Sequence, residues 1–522
     1  MRAIVEQIKV STATTDNELF DIAKARLKKT RAFSNFKDFY IYKRSIDARK
    51  KENIKLVYSV ACDAEISSKI NEELLKSHGI KLQPLLELEF ALKGKKPSKR
   101  PLVVGFGPGG MFCALALSRA GLNPVVIERG SDVDTRVKCV EDFYKTKSLN
   151  LDTNIQFGAG GAGTFSDGKL NTLINDPKCD FVLKELVKFG APEEICYNAK
   201  PHIGTDILRA VVKNLANEIT SLGGEIFYNT KLTSFENGVA HTTKGDFEYS
   251  SLVLAIGHSA RDTYEYLLSK GVAIEPKPFS VGVRVEHLQA DINEAMYGRY
   301  ADTFGPASYK ISHRENNRGV YSFCMCPGGT VVAAQSEEGS VVVNGMSNFA
   351  RDGKNANSAI AVQVDREDYG NTPYKAIEFQ RSLEKQAFVR AGANYKAPIQ
   401  TMGDFYNGVA KAEPKRITPT YMDNYTEVCD LNKILPQFVC DYLKLGFKKF
   451  GEKIKGYDRS DVVLTGVETR TSAPVRILRT ESYNMLNDDS VYPCGEGAGY
   501  AGGIMSASVD GINVALAILN KG

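Results

Sequence analysis

Four short strings of the sequence hold the residue types best suited to redox, acid–base or anion-binding chemistry. Cys324 and Cys326 alternate just before a Pro-Gly-Gly turn, so on a strand both thiols would lie on one face. That pattern fits a thiol pair beside a substrate, and it also describes two small core residues on a β-hairpin, the commoner use of free cysteine. His258 directly follows Ala-Ile-Gly and is a candidate acid–base group, because imidazole titrates near neutral pH. A histidine that caps or packs is the commoner outcome.

Two of the strings combine arginine with carboxylates. In SVGVRVEH, the valines would point to one side of a strand and Arg284 and Glu286 to the other, with His287 next in the chain. This polar face lines an active site or forms the solvent side of an edge strand. The string GVETRTSAPVRI contains Glu468, Arg470 and Arg476. Its arginines fit bidentate binding of a substrate carboxylate or phosphate, or a salt-bridged surface.

A glycine-rich turn has the layout of a dinucleotide-binding loop. It comprises Gly105, Phe106, Gly107, Pro108, Gly109 and Gly110, between the apolar run LVV and the helix-forming run GMFCALALSRAG. Gly105 permits a tight turn, Gly107 lets the backbone approach a pyrophosphate, and Gly110 lets the helix pack against the strand. The first turn of that helix offers free N–H groups to phosphate oxygens.

Glu128 ends the next apolar run, 23 residues after Gly105. A carboxylate at that position is expected to accept hydrogen bonds from adenosine ribose hydroxyls. Arg129 follows and is assigned to the adenine or phosphate side. A glycine-rich turn with a surface glutamate is the alternative. Strand, turn, helix, strand and acid agree with one another, which favours the dinucleotide site.

Two more glycine-containing strings fit close backbone approach to a ligand. Residues 158–168 hold five glycines, which disfavour a packed helix or strand and expose backbone amides to a planar or anionic ligand. A flexible linker is the alternative, but Phe165 and Leu170 indicate a packed loop. The site residues taken from this string are Gly161, Gly163, Thr164, Ser166 and Lys169. Ala255 and Gly257 follow the apolar run LVL and indicate a strand that ends beside a cofactor.

The last string, residues 491–505, joins a strand to the C-terminal helix. Its site residues are Gly495, Glu496, Gly503, Ile504 and Met505. A carboxylate after a strand suits a ribityl hydroxyl. A helix N-terminus behind Gly-Gly suits negative charge on a reduced flavin. These features predict FAD as the cofactor.

The spaced set GxGPGG, ERG, AIG and GEG…GGI resembles the glutathione-reductase-type flavoprotein superfamily. The strings GAGGAGTFSDGKLNT, SVGVRVEH, FCMCPGG, TGVETRTSAPVRI and GEGAGYAGGI resemble, more narrowly, bacterial FAD-dependent dehydrogenases of unassigned substrate. The resemblance extends over roughly residues 95–522. The resemblance implies that Glu128 binds the ribose, that the backbone of Leu232 contacts adenine, and that Glu496, in place of the usual Asp, binds the ribityl chain. It implies that the pyrophosphate is bound by Gly105, Gly107, Gly109 and Gly110. The flavin pyrimidine is expected to contact Gly503, Ile504 and Met505.

The resemblance implies an FAD-dependent oxidoreductase that transfers hydride between flavin and a small-molecule substrate. The chain lacks the redox cysteine pair and the second glycine fingerprint that many disulfide reductases of this superfamily carry, and residues 204–260 contain no further GxGxxG. NAD(P)H is therefore expected, if it is used, as a transient reductant that reaches the flavin directly. The substrate and the catalytic residues stay open, and the candidates for catalysis are His258, Cys324, Arg284 and Arg470.

The elements that carry these strings predict an α/β fold with a doubly wound, Rossmann-like FAD-binding domain. Residues 1–95 follow the order βαββαβ, with a helix near 66–76 and a strand near 84–91, which predicts a ferredoxin-like α+β unit. The basic linker ALKGKKPSKRP marks its end. The expected divisions are residues 1–95 for this unit, 96–274 and 466–522 for the two parts of the FAD-binding domain, and 275–465 for an inserted α+β substrate domain.

Composition limits the other classes of function. Hydrophobic types make up 43% and charged types 25% of the 522 residues, as in ordinary globular proteins. No apolar run approaches the ~20 residues of a membrane span, and the N-terminus shows no secretory signal, so a cytoplasmic protein without membrane contact is expected. None of the ten cysteines has a zinc-type spacing, so no metal is expected. Nothing in the sequence indicates the oligomeric state.

Positive charge is concentrated at the N-terminus. Residues 1–100 carry 22 basic and 13 acidic side chains, a net charge of +9, whereas the remainder has a net charge of −4. This asymmetry allows a second hypothesis, in which the N-terminal unit binds RNA or another anion and FAD is structural or serves nucleic-acid modification. A solvated basic surface is the plainer interpretation, because most of these lysines are interspersed with acids.

Overall fold

The computed structural model describes residues 1–66, 70–84 and 88–521. The first unit consists of β1 (Arg2–Val10), α1 (Asp16–Lys29), β2 (Phe33–Asp47), β3 (Lys55–Ile66), α2 (Glu72–Ser77) and β4 (Ile80–Gln83). Its strands pair antiparallel in the order β2-β3-β1-β4, the split arrangement of a ferredoxin-like unit. Leu19, Ala23 and Leu27 form the buried stripe of α1, and Thr15 and Glu18 form its capping box.

The last strand of this unit lies earlier in the chain than the sequence suggests. Gly79, with φ +65°, makes a left-handed turn directly after α2, so the chain enters the sheet at Ile80 and pairs with β1 there. The strand was expected near 84–91. Residues 67–69 and 85–87, which belong to predicted spans, lie outside the described residues.

The N-terminal unit contacts the following part of the chain through β2. Arg44 N donates to Tyr197 O at 2.6 Å, and Ala199 N donates to Arg44 O at 2.8 Å. Arg2 adds an ion pair with Asp180 at 2.9 Å. Part of the basic unit considered for nucleic-acid binding therefore faces this chain's own residues.

The remaining elements follow in three stretches. Residues 102–276 contain β5 (Leu102–Val104), α3 (Pro108–Arg119), β6 (Val125–Ile127), α4 (Val133–Thr146), α5 (Lys178–Lys188), α6 (Thr205–Ser221), β7 (Glu225–Phe227), β8 (Leu232–Glu236), β9 (Val239–Thr242), β10 (Gly245–Glu248), β11 (Leu252–Leu254), α7 (Arg261–Ser269) and β12 (Ile274–Pro276). Residues 279–468 contain β13 (Phe279–Leu288), α8 (Gln289–Tyr297), β14 (Ser312–Glu315), β15 (Arg318–Cys326), β16 (Thr330–Ala333), β17 (Val343–Met346), β18 (Asn355–Val364), α9 (Arg366–Tyr369), α10 (Pro373–Arg390), β19 (Ala397–Thr401), α11 (Met402–Asn407), β20 (Thr426–Val428), α12 (Gln437–Gly451) and β21 (Val463–Glu468). Residues 475–520 contain β22 (Val475–Ile477), β23 (Val491–Pro493) and α13 (Ile504–Asn520).

A five-stranded parallel sheet carries the glycine-rich strings. Its order is β23-β11-β5-β6-β7. The runs LVV, VVI, LVL and VYP are fully buried, because α3, α6 and α13 pack on one face and α7 with β8 and β9 on the other. The chain places β6 and β7 on one side of β5 and β11 and β23 on the other. Ligands of open α/β sheets bind at such a reversal of strand order, outside the carboxyl ends of the strands.

A second sheet of seven strands is built from residues 279–468. Its order is β14-β15-β18-β13-β21-β19-β20, antiparallel except for the β19–β20 pair. Val283 of β13 and Ile360 of β18 pack in one core with Leu443 and Phe447 of α12. The divisions expected after residues 274 and 465 both fall inside strands, namely β12 and β21.

Candidate functional site

Glycines bring the turns after β5, β11 and β23 together at the carboxyl edge of the parallel sheet. A Cβ atom on Gly105 would lie 2.3 Å from Ala255 O, and one on Gly110 would lie 1.9 Å from Gly105 O. Gly105 also has φ +98°, which favours glycine. A Cβ on Gly109 would lie 3.6 Å from Gly495 Cα. Three of the glycine-containing strings thus meet where α3 begins.

The second glycine string folds against the first. Gly160 N donates to Phe106 O at 2.7 Å, and a Cβ on Gly161 would lie 3.0 Å from Gly107 Cα. Residues Gly161–Phe165 form a 3₁₀ segment. The string is therefore a packed loop of the site rather than a flexible linker.

The hydroxyl groups of this loop bond within it. Thr164 Oγ1 donates to Ala159 O at 3.2 Å, and Ser166 Oγ donates to Gly163 O at 2.7 Å. Thr164 is fully buried. The two hydroxyl groups, expected to bind the cofactor, therefore bond to the backbone of the loop itself.

Arg136 of α4 holds the second glycine string from behind, and no sequence motif pointed to it. Its guanidinium is fully buried and donates at 2.8–3.2 Å to the backbone carbonyl oxygens of Asn154, Ile155, Gly158, Ala159 and Gly161. Burial lowers the pKa of Arg136 to about 9, so the side chain stays charged at neutral pH. In the sequence it looks like any polar residue of an amphipathic helix.

Glu128 lies at the end of β6, as expected. Its Oε2 accepts from Phe106 N at 2.8 Å, and its Oε1 accepts from Gly130 N at 2.9 Å and from Gly158 N at 3.0 Å. The carboxylate therefore fastens the two glycine loops to each other. Oε2 keeps a second lone pair for a further donor.

Arg129 and Leu232 differ in how well they match their expected roles. The Arg129 guanidinium pairs with Asp152 at 2.8 Å and with Asp262 at 2.9 Å, so its charge is neutralised by side chains of the protein. Leu232 begins β8 with a buried side chain. Thr230 N, just before it, donates to Glu128 O at 2.8 Å, so this backbone runs beside the end of β6.

Open space surrounds the start of α13. A Cβ on Gly502, Gly503 or Gly257 would meet no atom within 4 Å in the described chain. Glu496 Oε2 accepts from Gly503 N at 3.3 Å. Burial raises the pKa of the Glu496 carboxyl to about 7. Lys277 contributes an opposing effect that lowers this pKa.

These features fit FAD. Gly107 and Gly503 are the N-cap residues of α3 and α13. Neither has a side chain that could cap the helix, so the first N–H groups of both helices suit a pyrophosphate and a flavin ring. Gly257 and Gly502 leave room for a planar ring, and Glu496 offers a carboxyl with a backbone partner and a free oxygen. Ile504 and Met505 begin α13 at the same place.

Arg284 and Glu468 form a buried ion pair in the seven-stranded sheet. Arg284 Nε and Nη2 donate to Glu468 at 2.8 and 3.0 Å. Its other hydrogen bonds, at 2.8–3.0 Å, reach Asn344, Asn357 and the carbonyl of Cys324. Of the two alternatives for this polar face, the solvent side of an edge strand is wrong, because β13 lies between β18 and β21. As a catalytic candidate, Arg284 has no N–H left for a substrate.

Glu286 and His287 are structural as well. Glu286 accepts from Thr420 Oγ1 at 2.7 Å and from Asn355 Nδ2 at 2.9 Å, and burial raises its pKa. His287 Nε2 bonds to Tyr457 O at 2.8 Å, and burial lowers its pKa to about 4. Neither side chain is exposed.

Arg470 joins a buried charge network beside His258. Its Nη2 lies 2.9 Å from Glu384 Oε2, and Arg261 Nη2 lies 2.7 Å from Glu384 Oε1. Burial, followed by the charges of Arg470 and Arg261, lowers the pKa of His258 to about 3. The imidazole is therefore neutral at physiological pH. Arg476, by contrast, is partly exposed and pairs loosely with a carboxylate at 3.5 Å.

Sequence reasoning missed Arg261 and Glu384, because nothing local links residues so far apart in the chain. Arg261 and Arg470 both pair with the buried Glu384, so Arg470 does not lie on the salt-bridged surface considered for it. The charges of Arg470 and Arg261 in this network help to keep the His258 imidazole neutral, and the acid–base role of His258 stays a prediction.

Cys324 and Cys326 lie beside Lys169. Lys169 Nζ is 3.8 Å from Cys326 Sγ and 2.8 Å from Asp167 Oδ2. Arg351 Nε donates to Asp167 Oδ1 at 2.9 Å. The structure thus brings together a lysine assigned to the cofactor and the two cysteines considered as a thiol pair.

Over residues 1–66, 70–84 and 88–521, no group of three or more His, Cys, Asp or Glu side chains could hold a metal ion. None of the helices in that part of the chain is long and apolar enough to cross a membrane. All ten cysteines are free.

Residues 278–471, which include the seven-stranded sheet, match the family described as FAD-dependent protein, C-terminal domain-like. This match confirms the prediction that FAD is the cofactor. Residues 4–63 match a domain of unknown function, DUF8436.

The chain is 49% identical over 496 residues to an uncharacterized protein of Clostridium beijerinckii, with 92% of each chain covered. It is also similar to two distant solved structures. The halogenase PltM in complex with phloroglucinol and FAD is 10% identical, with a TM-score of 0.36 and coverage of 81% of this chain and 68% of that chain. The ternary complex of aklavinone-11 hydroxylase with FAD and aklavinone is 14% identical, with a TM-score of 0.35 and coverage of 82% and 63%.

Proposed function

Because this chain belongs to the same family as the Clostridium beijerinckii protein and carries the C-terminal domain-like region of FAD-dependent proteins, we propose that it is an FAD-dependent oxidoreductase of the glutathione-reductase-type superfamily. The observation that carries the proposal is the meeting of four glycine-rich strings at one carboxyl edge of a parallel sheet. Bound FAD supplies two-electron chemistry, and the reaction is a hydride transfer between flavin and a small-molecule substrate.

The chain's own residues bind and orient the cofactor. The N-terminal amides of α3 hold the pyrophosphate, with Gly107 allowing close approach. The free lone pair of Glu128 Oε2 would accept a ribose hydroxyl, a role supported by the acceptor position described above. The backbone at Leu232 would meet adenine, a role that the resemblance to the superfamily implies.

Residues at the start of α13 meet the flavin end. Gly503, Ile504 and Met505 would hold the pyrimidine end of the flavin, where the positive end of the helix dipole favours negative charge. Glu496 would bind the ribityl chain. With a pKa of about 7, its carboxyl holds a proton at Oε for part of the time at neutral pH and acts as donor or acceptor.

A Gly107→Ala variant tests the cofactor site without disturbing the fold. Gly107 has φ −85° and ψ −176°, which alanine adopts readily, and a Cβ there would meet Gly161 Cα at 3.7 Å, an ordinary contact. The added methyl group would occupy the place given to the pyrophosphate. We expect FAD affinity, measured by fluorescence titration, to fall about ten-fold or more, with the unfolding midpoint of the flavin-free protein unchanged.

Gly319→Ala is the matched control. A Cβ on Gly319 would meet Tyr321 Cδ1 at 4.0 Å, and the residue lies on β15, outside the glycine strings. It is expected to bind FAD like the wild type. Wild-type FAD affinity in Gly107→Ala would refute the assignment of this loop to the pyrophosphate.

The reaction class is tested by the flavin spectrum. Under anaerobic conditions, the oxidised flavin band of the purified protein should bleach on addition of a physiological reductant, with NADH and NADPH as the first probes, and return when an acceptor is added. A flavin that no physiological donor or acceptor reduces or reoxidises would exclude hydride transfer as the function.

A further inference from the structure

A β-bulge sets the positions of Cys324 and Cys326. Between Phe323 and Cys326 the chain advances three residues on β15, against two on the paired strand β18. Cys324, within the bulge, has φ +45°, a left-handed conformation that is uncommon for cysteine. Bulges and strained backbone of this kind are concentrated at functional sites.

Lys169 brings positive charge to the bulge. Its Nζ lies near Cys326 Sγ and is held by Asp167, which Arg351 and Ser347 hold in turn. Burial alone would lower the pKa of Lys169, but the two thiols and Asp167 raise it to about 12. The ammonium group is therefore charged at neutral pH and fixed in place.

The two thiols differ in exposure and in acidity. Cys324 is half-buried and follows Phe323, whose side chain is 39% exposed, whereas Cys326 is fully buried. The Cys326 thiol and the Lys169 ammonium hold the pKa of Cys324 well below its usual range. Pairing with Cys324 and burial raise the pKa of Cys326. Cys324 is thus the more acidic of the two thiols and the one expected to form the thiolate, in which sulfur is nucleophilic.

We propose that Cys324, Cys326 and Lys169 form a dithiol site for thiol–disulfide exchange, whose substrates are disulfides that enter beside Phe323. This site goes beyond the proposed FAD chemistry and does not depend on it. Lys169 is a positioning residue, because its charge stabilises the sulfur anion at Cys324.

The exchange uses groups that are present in the chain. The Cys324 thiolate attacks one sulfur of the substrate disulfide, which forms a mixed disulfide and releases one half of the substrate as a thiolate. Cys326 gives its proton to that thiolate and attacks the Cys324 sulfur. A Cys324–Cys326 disulfide forms, and the second half leaves as a thiolate. Two electrons pass from the dithiol to the substrate, which ends as two thiol halves.

The first test uses the unaltered full chain with its flavin. Limiting iodoacetamide is added, and the alkylated cysteines are located by peptide mass mapping. We expect Cys324 to react about ten-fold or more faster than Cys196, the exposed reference cysteine. Faster alkylation of Cys196 than of Cys324 would overturn the proposal.

The second test uses dithionitrobenzoate, an aromatic disulfide that releases a coloured thiolate. In a Cys196→Ser background, the site should release two equivalents of thiolate and end as a Cys324–Cys326 disulfide, two hydrogens lighter by mass. Cys326→Ser should stop at a stable mixed disulfide with one equivalent released, and Cys324→Ser should release none from the site. The matched control is Cys139→Ser, a half-buried cysteine of α4, which should behave as the background. Unchanged release in Cys324→Ser would overturn the proposal.

Two variants of Lys169 distinguish an effect of its charge on Cys324 from an effect of its packing. Lys169→Met should slow alkylation of Cys324 about ten-fold and move its pH profile to higher pH, and Lys169→Arg should restore most of the rate. An unchanged pH profile in Lys169→Met would remove lysine from the site. Each cysteine variant must keep the wild-type flavin absorbance, and for one that does not, limiting alkylation of the unaltered chain is the deciding test. Lys169 is itself assigned to the cofactor, so the fold of the Lys169 variants is checked by far-UV circular dichroism rather than by flavin absorbance.

Discussion

Glu496 has a carboxyl whose pKa is raised by burial from its ordinary value of 4.5 to about 7. The unfolded chain therefore gives up this proton at lower pH than the folded chain does. The stability that the protonated carboxyl contributes is fully present below pH 4.5 and is lost as the pH rises to about 7. Glu496→Gln removes this titration, so its stability relative to the wild type should increase with pH.

The expected size follows from the two pKa values. Each pKa step corresponds to about 1.36 kcal/mol, so the full difference is about 3.4 kcal/mol. Because the Glu496 side chain is partly exposed, solvent screening reduces the expected effect to about 2 kcal/mol.

Urea unfolding of the flavin-free wild type and Glu496→Gln, at several pH values from about 4.5 to 8, measures this difference. The exposed Glu481→Gln is the control for loss of one negative charge in the same C-terminal region. Glu496→Gln should gain about 2 kcal/mol on the wild type between the two ends of the range. A constant stability difference between the two proteins, or one that shrinks with rising pH, would show that burial does not raise the pKa of Glu496.

Three further substitutions probe the framework of the site. Arg136→Met should lower the free energy of unfolding by about 3 kcal/mol in urea titrations, because buried carbonyl oxygens lose their donor. A change near zero would mean that the second glycine string keeps its conformation without Arg136. Gly105→Ala should cost more than about 3 kcal/mol and lower the soluble yield, because its Cβ would lie 2.3 Å from Ala255 O at φ +98°; normal yield and midpoint would contradict the close approach. Arg284→Met should cost about 3–5 kcal/mol by leaving Glu468 buried and unpaired, and adding Glu468→Leu should recover more than half of it, as a double-mutant cycle in urea checks; a second change that adds to the loss would disprove the pairing.

The features predicted correctly from the sequence depend on neighbours in the chain. The spacing of Gly105 and Gly110 predicts a strand–turn–helix, because it fits only a backbone that passes close to itself. Glu128 follows from the length of the next helix and strand. The βαββαβ order of the N-terminal unit follows from alternation and helical stripes in the same way.

The features that were missed depend on the order of strands in space. Whether Arg284 faces solvent, a substrate or Glu468 is decided by the position of β13 at the centre of a sheet, and Glu468 lies on a strand far along the chain. Arg136 and the Arg261–Glu384 pair are likewise partners brought together by packing alone. The local sequence around a polar residue that hydrogen-bonds to backbone far along the chain looks the same as the sequence around one that faces water.

The discontinuity of the parallel sheet has a consequence for biosynthesis. β11 ends at Leu254, but its neighbour β23 begins at Val491 and α13 follows it. Until these segments leave the ribosome, the surface of α3 that packs on α13 and the edge of β11 that pairs with β23 stay open, and the Gly109–Gly511 contact that joins α3 to α13 cannot form. The proposed flavin end of the site therefore forms only after these segments have been synthesised. A product interrupted before Val491 would be a client of chaperones and proteases rather than a weakened enzyme.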